Sequence, residues 1–185
     1  METQSIEEKI IVEKAIAGDP SAQTLLFRKY GSWMFNICLR ITGDKNTAED
    51  ILQDSFVIAF TKLTQLREKD HFGGWLKAIV INECIRISKK AIRWSHLDFE
   101  VQDIAEDEEQ EWWQTISLEH IHHEIKRLPD GCRIVFCLFV LEDFSHGEIA
   151  KRLGISESTS KTQYRRARQL LKERIVKQIG TYGQI

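Results

Sequence analysis

Ser145 to Leu171 reads SHGEIAKRLGISESTSKTQYRRARQLL, and this run decides the architecture of the C-terminal half. Ser145 and Glu148 form an S-x-x-E capping box, a start signal for a helix. The helix it opens is short, Glu148 to Leu153, because Gly154 supplies the left-handed residue that ends helices. Ile155 packs inward, and Ser156 caps a second, longer helix. Two helices joined by a tight glycine turn make a helix-turn-helix.

At about 100° per residue, Ser160, Tyr164, Ala167 and Leu171 share one side of the long helix and are expected in the core. Ser158, Thr159, Thr162, Gln163, Arg165, Arg166 and Gln169 point outward. Hydroxyls, amides and guanidiniums are the groups that hydrogen-bond base edges in a major groove. Lys161, Arg168 and Lys172 flank the apolar stripe, within reach of phosphates. From Ser145 to Gly180, nine cations face three acids, a local charge of +6 on a chain whose formal net charge is -2. The competing reading is a solvated helix held by i, i+4 ion pairs, but three acids cannot pair nine cations. DNA binding is the better account.

Working outward, the chain has 185 residues, enough for one ordinary domain or two small ones. Its 42% hydrophobic and 29% charged residues suit a folded globular protein. No apolar run reaches the roughly 18 residues of a membrane span, so no membrane insertion is expected. The N-terminus is charged and helical in pattern, unlike a signal peptide. Cys38, Cys84, Cys132 and Cys137 form no C-x-x-C pair and sit among apolar residues, as buried reduced thiols in a cytoplasmic protein do. His120, His122 and His123 lack the cysteines or carboxylates that would complete a metal site. No metal and no cofactor are expected. With no Gly-rich phosphate loop or nucleophile elbow either, nothing marks an enzyme.

Helical periodicity dominates, and no strand pairs with hairpin turns appear, so the fold class is all-α. The first helix carries Ile6, Ile10, Ala15 and Ile16 and closes at Gly18. The second offers Leu25, Leu26, Phe27, Trp33, Ile37 and Ile41 as a broad apolar face. In NTAEDILQDSFVIAFTKLTQL, Ala48, Leu52, Phe56, Ala59 and Leu63 recur at helical steps, with Glu49, Asp50, Gln53 and Asp54 opposite. A polar loop, REKDHFGG, precedes a further helix, WLKAIVINECIRISKKAIRW. Between Arg93 and Lys126 there is no Lys or Arg, while residues 98–111 hold eight acids. Such a run reads as an extended linker. The expected organisation is therefore two small helical domains, 1–94 and 117–185, joined by an acidic flexible linker, 95–116.

LPDGCRIVFCLFVLEDFSHGEIAKRLGISESTSKTQYRRARQLL is similar to region four of bacterial sigma-70 family factors. GDKNTAEDILQDSFVIAFTKL followed by HFGGWLKAIVINECIRISKK resembles their region two. With only these two regions and a short linker, the chain resembles the extracytoplasmic-function (ECF) subgroup. The resemblance implies a transcription initiation factor that binds core RNA polymerase and directs it to promoters, in an extracytoplasmic or stress response. An anti-sigma factor is the usual regulatory partner.

The resemblance assigns core polymerase binding to Glu49, Asp50, Gln53, Asp54 and Phe56. It assigns the −10 element to Arg67, Lys69, His71 and Phe72 in the loop, with Gly73 and Gly74 letting that loop adapt around an extruded base. Lys77, Asn82, Arg86, Lys89 and Lys90 on the next helix join them. Asn82, in an apolar run, needs a hydrogen-bond partner, either DNA or a neighbouring helix. Trp75 is expected in the core rather than stacked on a base. The −35 element falls to Ser158, Thr159, Lys161, Thr162, Gln163, Arg165, Arg166 and Arg168. Ser160 and Tyr164 depart from the family's usual aliphatic residues, and Gly147 weakens the start of its helix by about 1 kcal/mol relative to alanine. The alternative is a helix-turn-helix regulator with an unrelated N-terminal sensing domain, which would not need the AEDILQD helix.

Overall fold

A computed structural model describes residues 2–95 and 123–182, so the acidic linker, His120 and His122 lie outside the described residues. Among the described residues every regular element is helical. The chain divides into two compact units, Met1–Arg86 and Ile87–Ile185, with the division falling inside one long helix.

The first unit contains α1 (Glu2–Ile16), α2 (Pro20–Thr42), α3 (Lys45–Thr61) and the start of α4 (Phe72–Ser95). Its helix ends follow local chemistry. Asp19 accepts from the Ser21 amide at 2.8 Å and Pro20 follows at the first helical position, so α2 starts there. Gly43, at φ 72°, closes α2, and Asp44 opens α3 by accepting from the Thr47 amide and hydroxyl.

Ala48, Leu52, Phe56, Ala59 and Leu63 are all buried, as the spacing on α3 predicts. The faces of α1 and α2 are narrower than expected. Ile10, Leu25, Phe27 and Trp33 each keep 42–50% of their surface in solvent. The α2 stripe keeps the expected Leu26, Ile37 and Ile41 and adds Ala22, Met34 and Cys38. On α1 the inward positions are Glu8, Val12 and Ala15. Hydropathy favours Ile10 there, but α2 presents Lys29 and Tyr30 to Glu8, and the buried carboxylate is satisfied by both.

Residues 67–74 also differ from expectation. Lys69–His71 is a 3-10 turn, and α4 begins at Phe72, so Gly73 and Gly74 lie in a helix rather than a loop. Phe72 is completely buried, against Tyr30 at 5.4 Å and Trp75 at 6.1 Å between ring centres. Burial of that size is worth about 1.5–3 kcal/mol, enough to pull the segment onto the core.

In the second unit a helical turn at 123–126 leads to α5 (Asp130–Phe136), which runs on into a π-helical turn, Cys137–Leu141. Then come α6 (His146–Leu153) and α7 (Glu157–Tyr182). The turn signals read from the sequence all form. Ser145 and Glu148 make both capping-box bonds, and Gly154 is left-handed at φ 74°. Ser156 Oγ accepts from the Thr159 amide at 3.0 Å. Cys132 and Cys137 are buried here, as Cys38 and Cys84 are in the first unit, and all four are free thiols. Glu124, only 1% exposed, draws His123 and Arg127 to 3.2 and 3.1 Å and Arg174 of α7 to 3.8 Å.

Candidate functional site

Three surfaces gather the residues singled out by sequence. The first is the outer side of α3. Glu49, Asp50, Gln53 and Asp54 are all exposed. Glu49 lies 3.7 Å from Lys45. Among the described residues Asp50 and Asp54 make no ion pair. Their spacing of four puts both carboxylates on one line along the helix. Phe56 does not belong to this surface. It is 3% exposed and packs against Phe27 at 4.7 Å and Phe60 at 5.7 Å, because position 56 faces α2. It supports the surface from beneath. Val57, 65% exposed, continues the stripe three residues beyond Asp54. Sequence reasoning missed it, although the i, i+3 spacing from Asp54 marks it.

The second surface is the turn before α4 and the outer side of α4. Arg67 and His71 are exposed, and His71 lies 3.0 Å from Glu68. Lys69 is half-buried and holds Glu13 of α1 at 2.8 Å, which keeps the Glu13 carboxyl below its usual range. Phe72 cannot meet a base from the core. On α4, Asn82, Arg86 and Lys89 are exposed at i, i+4 and i+7 and form one stripe; Arg86 Nε donates to Glu83 at 2.7 Å. Lys77 is half-buried and falls on the other side of the helix by its spacing. Of the Lys90 side chain nothing is described. Trp75, expected in the core, is half-exposed at the head of the Asn82 stripe, seven residues before it. That spacing was legible; the residue's hydrophobicity hid it.

The third surface is α7. Ser160, Ala167 and Leu171 are buried, as predicted, and Tyr164, expected in the core with them, is half-buried. Ser160 Oγ lies 2.9 Å from His146 Nδ1. His146 stacks on Phe139 at 4.3 Å, and Tyr164 closes the group at 4.6 Å from Phe139. This cluster gives the Ser160 hydroxyl and the Tyr164 ring their partners in this chain. A small hydroxyl leaves room for the imidazole and satisfies it, while the phenol ring fills the space beside it. Burial, then the charge of Lys161, holds the His146 imidazole below its ordinary pKa, with Glu157 opposing.

Of the outward set on α7, Ser158, Arg165 and Gln169 are exposed, as is Lys161 at the flank of the stripe. Thr159, Thr162, Gln163, Arg166 and Arg168 are half-buried. Gln163 turns back on α5: its Oε1 accepts from the Cys132 thiol at 3.0 Å, and it packs over Gly131. Burial pushes that thiol up to about 11, with the Arg166 charge acting against it. Lys161 pairs with Glu157 at 2.8 Å, Thr162 donates to the Ser158 carbonyl, and Arg168 lies over the Tyr164 ring at 5.8 Å. The face is basic, but part of it is occupied in seating the helix.

No described helix is long and apolar enough to cross a membrane. The family model for sigma-70 region 2 matches residues 26–93, and the model for sigma-70 region 4 matches residues 118–171. The region 2 match removes the alternative of an unrelated N-terminal half. The chain is 29% identical over 177 residues to the ECF RNA polymerase sigma factor SigW of Bacillus subtilis (strain 168), covering 89% of this chain and 94% of that protein. It is likewise 29% identical over 157 residues to the RNA polymerase sigma factor YlaC of the same organism, covering 82% and 91%. A solved structure of CnrH, in complex with the cytosolic domain of CnrY, aligns at TM-score 0.49 and 22% identity over 91% of this chain and 96% of that one. Two sigma-70 regions in this order, and relatives matched along nearly their whole length, lead to one conclusion: the chain belongs to the sigma-70 family of RNA polymerase sigma factors, in the extracytoplasmic-function subgroup.

Proposed function

We propose that the protein works as a promoter-directing subunit in the cytoplasm, with no catalytic step of its own. Residues 1–94 dock on core RNA polymerase and open the −10 element. Residues 117–185 bind the −35 element, and the acidic stretch 95–116 tethers them. An anti-sigma factor as regulatory partner rests on the family alone. The observation that carries the reading is a pair of helices of opposite charge. An exposed acidic stripe on α3 suits a basic polymerase surface, and a basic face on α7 suits DNA.

In the proposed site, Glu49, Asp50, Gln53 and Asp54 meet polymerase. Arg67, His71 and the Asn82, Arg86 and Lys89 stripe meet −10 DNA. Ser158, Lys161 and Arg165 lead at −35, and Arg166 adds charge beside them. Run-off transcription with core polymerase on genomic fragments, with the start sites mapped, tests this. Discrete starts that share −35 and −10 elements are expected. Failure to bind core polymerase would sink the reading even if DNA binding persisted.

A further inference from the structure

Gly73 is a glycine in an unfavourable place. It sits in the first turn of α4, where glycine costs about 1 kcal/mol relative to alanine, and its φ is not left-handed. Backbone freedom does not account for it; proximity does. A Cβ on Gly73 would stand 2.7 Å from Tyr30 Cε1 and 3.2 Å from Tyr30 Cζ. Nothing lies within 4 Å of the same position on Gly74. The Tyr30 ring is therefore seated directly on the backbone that begins α4.

That ring is held from its other end. Tyr30 donates from its hydroxyl to Glu8 Oε2 at 2.7 Å, and Lys29 pairs with the same carboxylate. Glu8 is 8% exposed, so the bond is shielded from water. Phe72 lies against the face of this assembly at 5.4 Å. Five residues further along α1, Glu13 holds Lys69 at 2.8 Å. Two ties thus run from α1 to the segment 69–73, one direct and one through Tyr30.

We propose that Tyr30, fixed by Glu8 and seated on Gly73, is the positioning residue for the turn and helix start that engage the −10 element, so that α1 contributes to promoter opening without touching DNA. The inference rests on the assignment of residues 67–89 to that element. A group displaced by about 1 Å from its working position can lose about a hundredfold in rate. The contact on Gly73 is tight enough that an added methyl must move either the ring or the helix start.

The test compares full-length variants on two templates with core polymerase, one a duplex promoter and one with the −10 region already unpaired. Gly73→Ala is expected to lose about tenfold or more in open-complex formation on the duplex, and Tyr30→Phe about threefold, each largely recovered on the unpaired template. Polymerase affinity should be unchanged. Gly74→Ala is the matched control for helix propensity and should hold melting temperature and polymerase affinity. If Gly73→Ala does not fold, Tyr30→Phe decides, since it keeps the ring and removes only the bond to Glu8. Wild-type opening by both variants, or equal losses on both templates, would overturn the inference. Arg67→Ala and Arg86→Ala separate it from its premise. If they leave −10 dependence intact, the assignment fails and the inference with it; if they weaken it while Tyr30→Phe does not, the inference alone fails.

Discussion

The outer faces of α3 and α7 look alike in sequence: a polar stripe opposite an apolar one. They differ in how the stripe is used. On α3, Asp50, Gln53 and Asp54 stand in solvent, and the buried side does all the seating. On α7 the polar groups also hold the helix in place. Gln163 bonds Cys132 of α5 and Ser160 meets His146 of α6, while the Lys161–Glu157 and Arg168–Tyr164 contacts stay within α7. The difference follows from what lies beneath. The α3 interface is Ala48, Ile51, Leu52, Ser55, Phe56 and Ala59, which pack close to α2. Both interfaces bury a serine, but Ser160 on α7 meets His146 across its interface, whereas Ser55 Oγ on α3 meets no hydrogen-bond partner among the described residues. A polar surface residue on α3 is therefore free to bind a partner, while one on α7 is free only where it is not needed for seating.

Substitutions can break this comparison. The largest effect is expected from Arg165→Ala with Arg166→Ala. Two lost contacts of about 1–3 kcal/mol each should reduce −35-dependent transcription a hundredfold or more, by roughly that scale, with polymerase binding intact. Loss of polymerase binding in a pull-down would mean that α7 is misassigned. Next is Asp54→Lys with Gln53→Ala, which should weaken polymerase affinity by about 1–3 kcal/mol and shift stability by less than about 0.5 kcal/mol. A large drop in melting temperature would show that α3's outer face is structural after all. Ser160→Ala should cost about 1 kcal/mol of stability, read by thermal or urea unfolding, because His146 loses its partner.

The smallest effect concerns pH. His146 is held below its usual pKa in the folded state, so the unfolded chain takes up the proton first on acidification. Stability from this group is complete above the ordinary histidine value, about 6.5, and falls as pH drops below it. Lys161 and Glu157 act on the ring with opposite effects. Melting of the wild type at pH 7.5 and 5.5 should differ slightly more than melting of His146→Asn. Equal differences would mean that the imidazole is not held neutral by its surroundings.

Local chemistry was legible wherever a short-range rule applied. The capping box at Ser145, the turn at Gly154, the cap at Ser156 and the α3 stripe all formed as read. What failed was wherever a side chain's partner lies far along the chain. Glu8 is an inward position on α1 because Tyr30, 22 residues on, takes its carboxylate. Gly73 looks like a hinge in sequence and is a contact point in space. Phe72 looks like a base-stacking aromatic and is core.

By itself, the sequence determined the helical class, the two-part order, the sign of charge on each working helix and the identity of the helix-turn-helix. Those depend on periodicity, caps and composition, all of which act within a few residues. Only the tertiary structure decided which polar groups remain available. It put Phe56 and Phe72 beneath their surfaces, turned Gln163 onto α5, and joined His146 to Ser160. Each of those outcomes depends on the distance between side chains on different helices, and that distance is set by packing.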